Sequence, residues 1–166
     1  EHLTAEMRTI FAELGVTALY VTHDHDEAFA IADTVAVMNH GRMIRKGTPE
    51  ELWADPQAEF VAEMLGFGSI VDAKVTEGRA DLGWTRVKSS LAPGEHRVVI
   101  PPHSIRIATD GPNVGSVTNC TFRAGEYVVE FHVDNVQLTA TTRRRFIRDD
   151  YIFFHIRRDG IISLRE

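Results

Sequence analysis

The feature that most constrains this chain is the punctuation of its second half. Ile70–Val75, Leu82–Val87, Arg97–Ile100, Ser104–Ile107, Gly115–Phe122, Tyr127–Val133, Gln137–Thr142, Tyr151–Ile156 and Ile161–Leu164 are short runs rich in β-branched or aromatic residues. Turn signals separate them, among them Ala92-Pro93-Gly94, Asp110-Gly111-Pro112 and Arg158-Asp159-Gly160. Many short strands at this spacing predict a small closed barrel or sandwich. In the strand Tyr151–Ile156, Phe153 and Phe154 fall on opposite faces, so one belongs to the core and the other is free for an interface. There is no internal repeat and no low-complexity tract.

The first half reads differently, as helix alternating with strand. Leu3, Met7, Ile10, Phe11 and Leu14 recur at three- and four-residue spacing, which predicts an amphipathic helix stopped by Gly15. Ala18-Leu19-Tyr20-Val21 predicts a short strand buried on both faces, and Thr34–Met38 predicts another. Between them Asp24 or Asp26 can cap a helix through Ala28, Phe29 and Ile31. Asn39-His40-Gly41 is turn chemistry leading into Arg42-Met43-Ile44. Thr48-Pro49-Glu50-Glu51 has Thr to cap a helix, Pro at its first position and Glu to complete a capping box. A last helix is expected from about Gln57 to Leu65, burying Phe60, Val61, Met64 and Leu65.

Charge changes where the pattern changes. Residues 1–67 carry four basic and twelve acidic side chains, net −8, whereas residues 68–166 carry fourteen basic and twelve acidic, net +2. The Gly-rich stretch Gly66-Phe67-Gly68-Ser69 is therefore read as a boundary between domains 1–67 and 68–166. An acidic first domain argues against duplex nucleic acid, because phosphate neutralisation needs clustered Lys and Arg. The single cysteine, Cys120, excludes an internal disulfide framework and a CxxC zinc or redox site. No apolar run approaches the roughly 20 residues that span a bilayer, and no signal-peptide pattern opens the sequence. A soluble cytoplasmic protein is expected.

Chemistry concentrates in Tyr20-Val21-Thr22-His23-Asp24-His25-Asp26-Glu27-Ala28, where an apolar run gives way abruptly to titratable side chains. In open α/β sheets, ligands bind just beyond the carboxyl ends of strands, and His23 falls at such a point. An imidazole there can donate to a phosphate oxygen or to an attacking water. Two other readings stand beside this one. The polar residues can form a merely solvated, capped turn, or His23 and His25 can supply the His-x-His spacing of a zinc hydrolase. A His-x-His-x-Asp-His pattern fails here at Glu27 and Ala28, and the remaining histidines do not cluster with acidic partners.

The run Gly15–Ala28, then Ile31-Ala32-Asp33, Val35-Ala36-Val37-Met38, Gly41-Arg42 and Gly47-Thr48-Pro49-Glu50-Glu51-Leu52, resembles the end of an ABC transporter ATPase domain. The likeness stays in register over roughly the first 65 residues. Pro56 and Phe60–Gly66 continue it into a connector like that of importers of sugars, polyamines and ferric iron. The resemblance implies that His23 is the switch histidine that contacts the γ-phosphate and helps hold the attacking water. It gives Asp24 a weaker catalytic role. His25 departs from the family's usual polar residue and is expected to be an exposed first-turn side chain. Glu27, Phe29 and Ile31 are expected to pack the helix.

The Gly-rich loop ending in Gly-Lys-Ser/Thr, the Leu-Ser-Gly-Gly signature and the acidic strand end that holds magnesium do not occur in this sequence. The expectation is a fragment that neither binds ATP tightly nor hydrolyses it, with no cofactor-binding residue and no metal ligand of its own. In the intact protein the resemblance implies ATP and Mg2+.

The second half resembles the TOBE regulatory domain appended to such ATPases, an OB-like barrel. Where that domain reads Ile-Arg-Pro-Glu, this chain has Ile100-Pro101-Pro102-His103, ahead of Ser104-Ile105-Arg106-Ile107. The segments Gly115–Phe122 and Gly125–Phe131 are similar to its central hairpin. Arg143, Arg144, Arg145 and Arg148 form the most basic cluster and raise the thought of oligonucleotide binding beside Phe146. The adjacent Asp149-Asp150 and the low net charge favour a solvated turn.

The fold expected is thus an α/β fragment, the C-terminal part of a P-loop-type ABC ATPase domain, followed by an all-β OB-like barrel. The function implied is coupling of ATP hydrolysis to solute uptake, with the barrel regulating. The partners implied are a second copy of the chain, transmembrane permease subunits and, indirectly, a substrate-binding protein, at the inner face of the plasma membrane; nucleic acid is not among them. The short barrel favours a ferric-iron-like or other small solute over a sugar. A free-standing anion-binding or subunit-interaction module is the alternative.

Overall fold

The computed structural model describes residues 2–158 and 160–164. The chain divides into two compact units, Glu1–Leu65 and Gly66–Glu166.

In the first unit, α1 (His2–Leu14) ends at Gly15, whose φ of +61° provides the left-handed stop that an L-residue resists. Residues 16–22 then run as irregular chain. The expected strand at Ala18–Val21 does not form: Leu19 is 93% and Val21 85% exposed. The reason is one of partners. A strand buried on both faces needs neighbours along both edges, and the strands of this unit, β1 (Val35–Asn39) and β2 (Arg42–Gly47), pair with each other in a two-stranded sheet.

Helix α2 (His25–Ile31) follows, and then the β1–β2 hairpin. His40 and Gly41 turn that hairpin at φ of +45° and +75°, the signs that a tight two-residue hairpin loop requires. Strand β1 buries Val35 and Val37 and exposes Ala36 and Met38, so it is covered on one face where the sequence predicts two. Helix α3 (Pro49–Ala54) opens on the predicted capping box. The Glu51 amide donates to Thr48 Oγ1 at 3.2 Å, and the Thr48 amide donates to Glu51 Oε2 at 3.0 Å. Helix α4 (Glu59–Met64) is shorter than predicted, and it is Val61, Ala62 and Leu65 that are buried, with Phe60 and Met64 only half-buried.

The second unit is built from strands. One sheet has the order β10-β9-β8-β11-β7, the other β12-β6-β3-β4-β5, and every pairing is antiparallel. The strands are β3 (Ser69–Thr76), β4 (Arg79–Asp81), β5 (Arg86–Lys88), β6 (Gly94–Ile100), β7 (Ile105–Ala108), β8 (Asn113–Arg123), β9 (Glu126–Val133), β10 (Val136–Thr142), β11 (Tyr151–Ile156) and β12 (Ile162–Leu164). Alternate residues of both sheets, Val71, Ala73 and Val75 on β3 and Val129, Phe131 and Val133 on β9, meet in one core. Phe131 and Phe154 lie edge to face at its centre, 5.0 Å between rings. Ser69 Oγ donates to the Gln137 carbonyl and ties the two sheets together at one margin. The result is a β-barrel-like unit, as the sequence predicts.

The run Leu82–Val87 is not one strand. Asp81 Oδ1 accepts the Gly83 amide at 2.9 Å and turns the chain, so that residues 82–85 link β4 to β5 and only Arg86 and Val87 of the run lie in a strand. Pro102–Ser104 is a single 3-10 turn, with Ser104 Oγ donating to the Pro101 carbonyl at 2.7 Å and His103 exposed. Among the described residues no helix is long and apolar enough to cross a membrane.

Candidate functional site

The polar stretch after Val21 is organised by its own side chains. Asp24 is the N-cap of α2: its Oδ1 accepts the amides of Asp26 at 2.9 Å and Glu27 at 3.1 Å. Those amides have no carbonyl partner within the helix, and an acidic cap also suits the helix's positive end. Thr22 Oγ1 accepts the Asp24 amide at 3.0 Å and donates to Glu27 Oε2 at 3.0 Å. The Tyr20 phenol donates to the same Glu27 oxygen at 3.1 Å. That hydrogen bond and the Glu27 charge hold the phenol's pKa above its ordinary value.

His23 stands between these bonds and takes part in none. It is exposed, and among the described residues it makes no hydrogen bond or ion pair. Its neighbour His25 differs: the ring is half-buried, edge-on to Phe29 at 6.4 Å, with Nε2 3.6 Å from Asp26 Oδ1. Phe29 in turn meets Trp53 of α3 at 6.5 Å. His25 is therefore a packing residue of the first turn, more covered than the sequence predicts, and His23 and His25 have different surroundings. Among the described residues no three His, Cys, Asp or Glu side chains come together as a metal ion would need. Asp24, the weaker catalytic candidate, has one oxygen committed to two amides.

Residues 20, 22 and 27 were not singled out by their chemistry in the sequence. Glu27 is expected there to pack the helix, and instead it gathers two hydroxyl donors. The signal was present as Thr two residues before the cap and Glu three after it, a spacing that lets a first-turn carboxylate reach back over the loop.

In the barrel, Arg143, Arg144, Arg145 and Arg148 occupy the connection from β10 to β11. The Phe146 ring is 6% exposed and covered by the Arg144 guanidinium at 4.9 Å, so it cannot stack on a base. Phe154 is fully buried, whereas Phe153 is 40% exposed.

No family model matches the chain. It is 41% identical over 141 residues to the Fe(3+) ions import ATP-binding protein FbpC of Streptomyces avermitilis, which covers 81% of this chain and 40% of that protein. The FbpC of Streptomyces coelicolor is 41% identical over 133 residues, covering 78% and 38%. The spermidine/putrescine import ATP-binding protein PotA of Acetivibrio thermocellus is 35% identical over 134 residues, covering 76% and 38%. Over that shared stretch the chain is similar to importer-type ABC transporter ATP-binding subunits. It spans about two fifths of the length of these relatives.

Proposed function

We propose that this chain is the C-terminal portion of an ATP-binding subunit that couples ATP hydrolysis to solute uptake. Residues 1–67 are the tail of its nucleotide-binding domain, and residues 68–166 are an OB-like regulatory barrel of the TOBE type. The observation that carries the reading is the contrast at residues 20–27, where four side chains are spent on the loop, His25 lies beside Asp26 at 3.6 Å, and His23 makes no such contact among the described residues. Asp24, Thr22, Tyr20 and Glu27 bond to one another or to amides, whereas the His23 imidazole is exposed and makes no hydrogen bond or ion pair among the described residues. The exposure of Val16, Leu19 and Val21 fits a segment that takes its strand neighbours from elsewhere in such a domain.

ATP, when bound, supplies a terminal phosphoryl group open to in-line attack by water, where catalysis is mostly positioning and charge stabilisation. Of this chain's residues, His23 has the chemistry to meet it. Its imidazole would donate a hydrogen bond to a γ-phosphate oxygen and orient the water. Asp24 would shape the loop and add negative charge beside the ring. Among the described residues no three His, Cys, Asp or Glu side chains gather to hold Mg2+, and no step is assigned to it.

The partners in this reading are a second copy of the subunit, two membrane permease subunits and, through them, a substrate-binding protein, at the inner face of the membrane. Ferric iron is the favoured solute, because two of the similar proteins carry it in their names, with a polyamine second.

The test is His23→Ala in the complete subunit, whose reading frame must encode a Gly-Lys-Ser/Thr loop upstream of Glu1. Removing one positioning contact is expected to lower ATP turnover by about a hundredfold or more. Turnover close to wild type would remove His23 from the mechanism. A reading frame that starts immediately before Glu1 would favour a free-standing anion-binding or subunit-interaction module.

A further inference from the structure

His23 is carried by backbone that is pinned on both sides. On one side, Tyr20 and Thr22 both donate to Glu27 Oε2, at 3.1 and 3.0 Å. On the other, the Asp24 amide donates to Thr22 Oγ1 at 3.0 Å, while the Asp24 carboxylate holds the first amides of α2. Thr22 is the hinge of this arrangement, since one hydroxyl accepts from the residue after His23 and donates to Glu27. Glu27 closes it, because a single carboxylate oxygen can accept from two hydroxyls. With Glu27 removed, both hydroxyls would donate to water, and the bond from the Asp24 amide to Thr22 Oγ1 would rest on a hydroxyl that nothing anchors.

We propose that Glu27 is the positioning residue of His23: through Tyr20 and Thr22 it fixes the loop that presents the imidazole, and it touches neither nucleotide nor water itself. This rests on the reading of His23 given above. The chemistry also says which replacements should work. Gln retains an oxygen that accepts two hydroxyls, Ala retains nothing, and Thr22→Ser keeps the hinge that Thr22→Val loses.

The test has two readouts. In this chain, hydrogen exchange at the Asp24 amide is expected to be slowed in the wild type and in Glu27→Gln, and to be fast in Glu27→Ala. In the complete subunit, Glu27→Ala is expected to lower kcat by about tenfold or more, with KM for ATP and the melting temperature unchanged, and Glu27→Gln to restore it. Unchanged exchange at Asp24, or a Glu27→Ala subunit with wild-type kcat while His23→Ala is inactive, would overturn the role of Glu27 and leave that of His23 standing. A fully active His23→Ala would overturn both, because nothing would remain to be positioned.

Discussion

The two units handle apolar surface in opposite ways. In the barrel, β-branched and aromatic residues from two sheets close on each other, and Val98, Val117, Phe131, Leu138 and Phe154 are wholly out of solvent. In the first unit, Ile10, Leu14, Val16, Leu19, Val21, Met38 and Met43 are each at least half exposed. Sequence pattern alone makes both sets look like core. The difference lies in whether partners are present: the barrel strands pair within their own unit, with hairpin neighbours such as β8 and β9 and with distant ones such as β7 and β11, whereas the run Ala18–Val21 pairs with no strand among the described residues.

The sharpest way to break this comparison is to cut into both sets. Phe131→Ala is expected to cost about 3–5 kcal/mol, because a buried ring leaves a cavity that the sheets cannot close. Urea unfolding of the barrel signal would measure it as a lowered midpoint. Thr48→Ala comes next, removing one half of the α3 capping box at a cost of about 1 kcal/mol, seen as lost helicity on mild heating. Asp81 gives a smaller, pH-dependent effect. The Gly83 amide, and then Arg86 at 2.8 Å, hold its carboxyl below the usual carboxylate range. Its contribution is therefore present above the ordinary Asp pKa and is lost as pH falls through the lowered folded value. Asp81→Asn should lower stability modestly near neutrality, where the carboxylate's contribution is present, and converge on the wild type at low pH, so that part of the acid limb flattens. Smallest of all is Leu19→Ser, expected to shift this chain's stability by no more than about 0.5 kcal/mol. A loss comparable to that of Phe131→Ala would show that Leu19 is core after all and erase the contrast between the units.

Much of the barrel was legible, for a physical reason. Its strands alternate, and its turns are written in residues that accept unusual backbone angles, so Tyr151–Ile156 has the same bounds in sequence and structure. Helix α3 was equally plain, since its capping box is local. What sequence missed was nonlocal or made by side chains. Ala18–Val21 has the composition of a buried strand, and composition does not reveal whether a neighbour exists. The division into β4 and β5 hung on Asp81 bonding an amide two residues on. At the candidate site, His23 was found by its place after an apolar run. The bracing from Glu27 was hidden, because its place in the first turn reads as helix packing and the two hydroxyls it accepts lie in the loop before the cap.

The cap of α2 also decides how a phosphate would be received. Many phosphate cradles greet the ligand with bare amides at the start of a helix, which offer a permanent welcome at any pH. Here those amides are already spoken for by a carboxylate, so an incoming oxyanion meets a guard of its own sign and depends on the exposed His23 ring instead. Such a corner would admit its visitor through one side-chain donor, where a bare helix start would offer a row of amides.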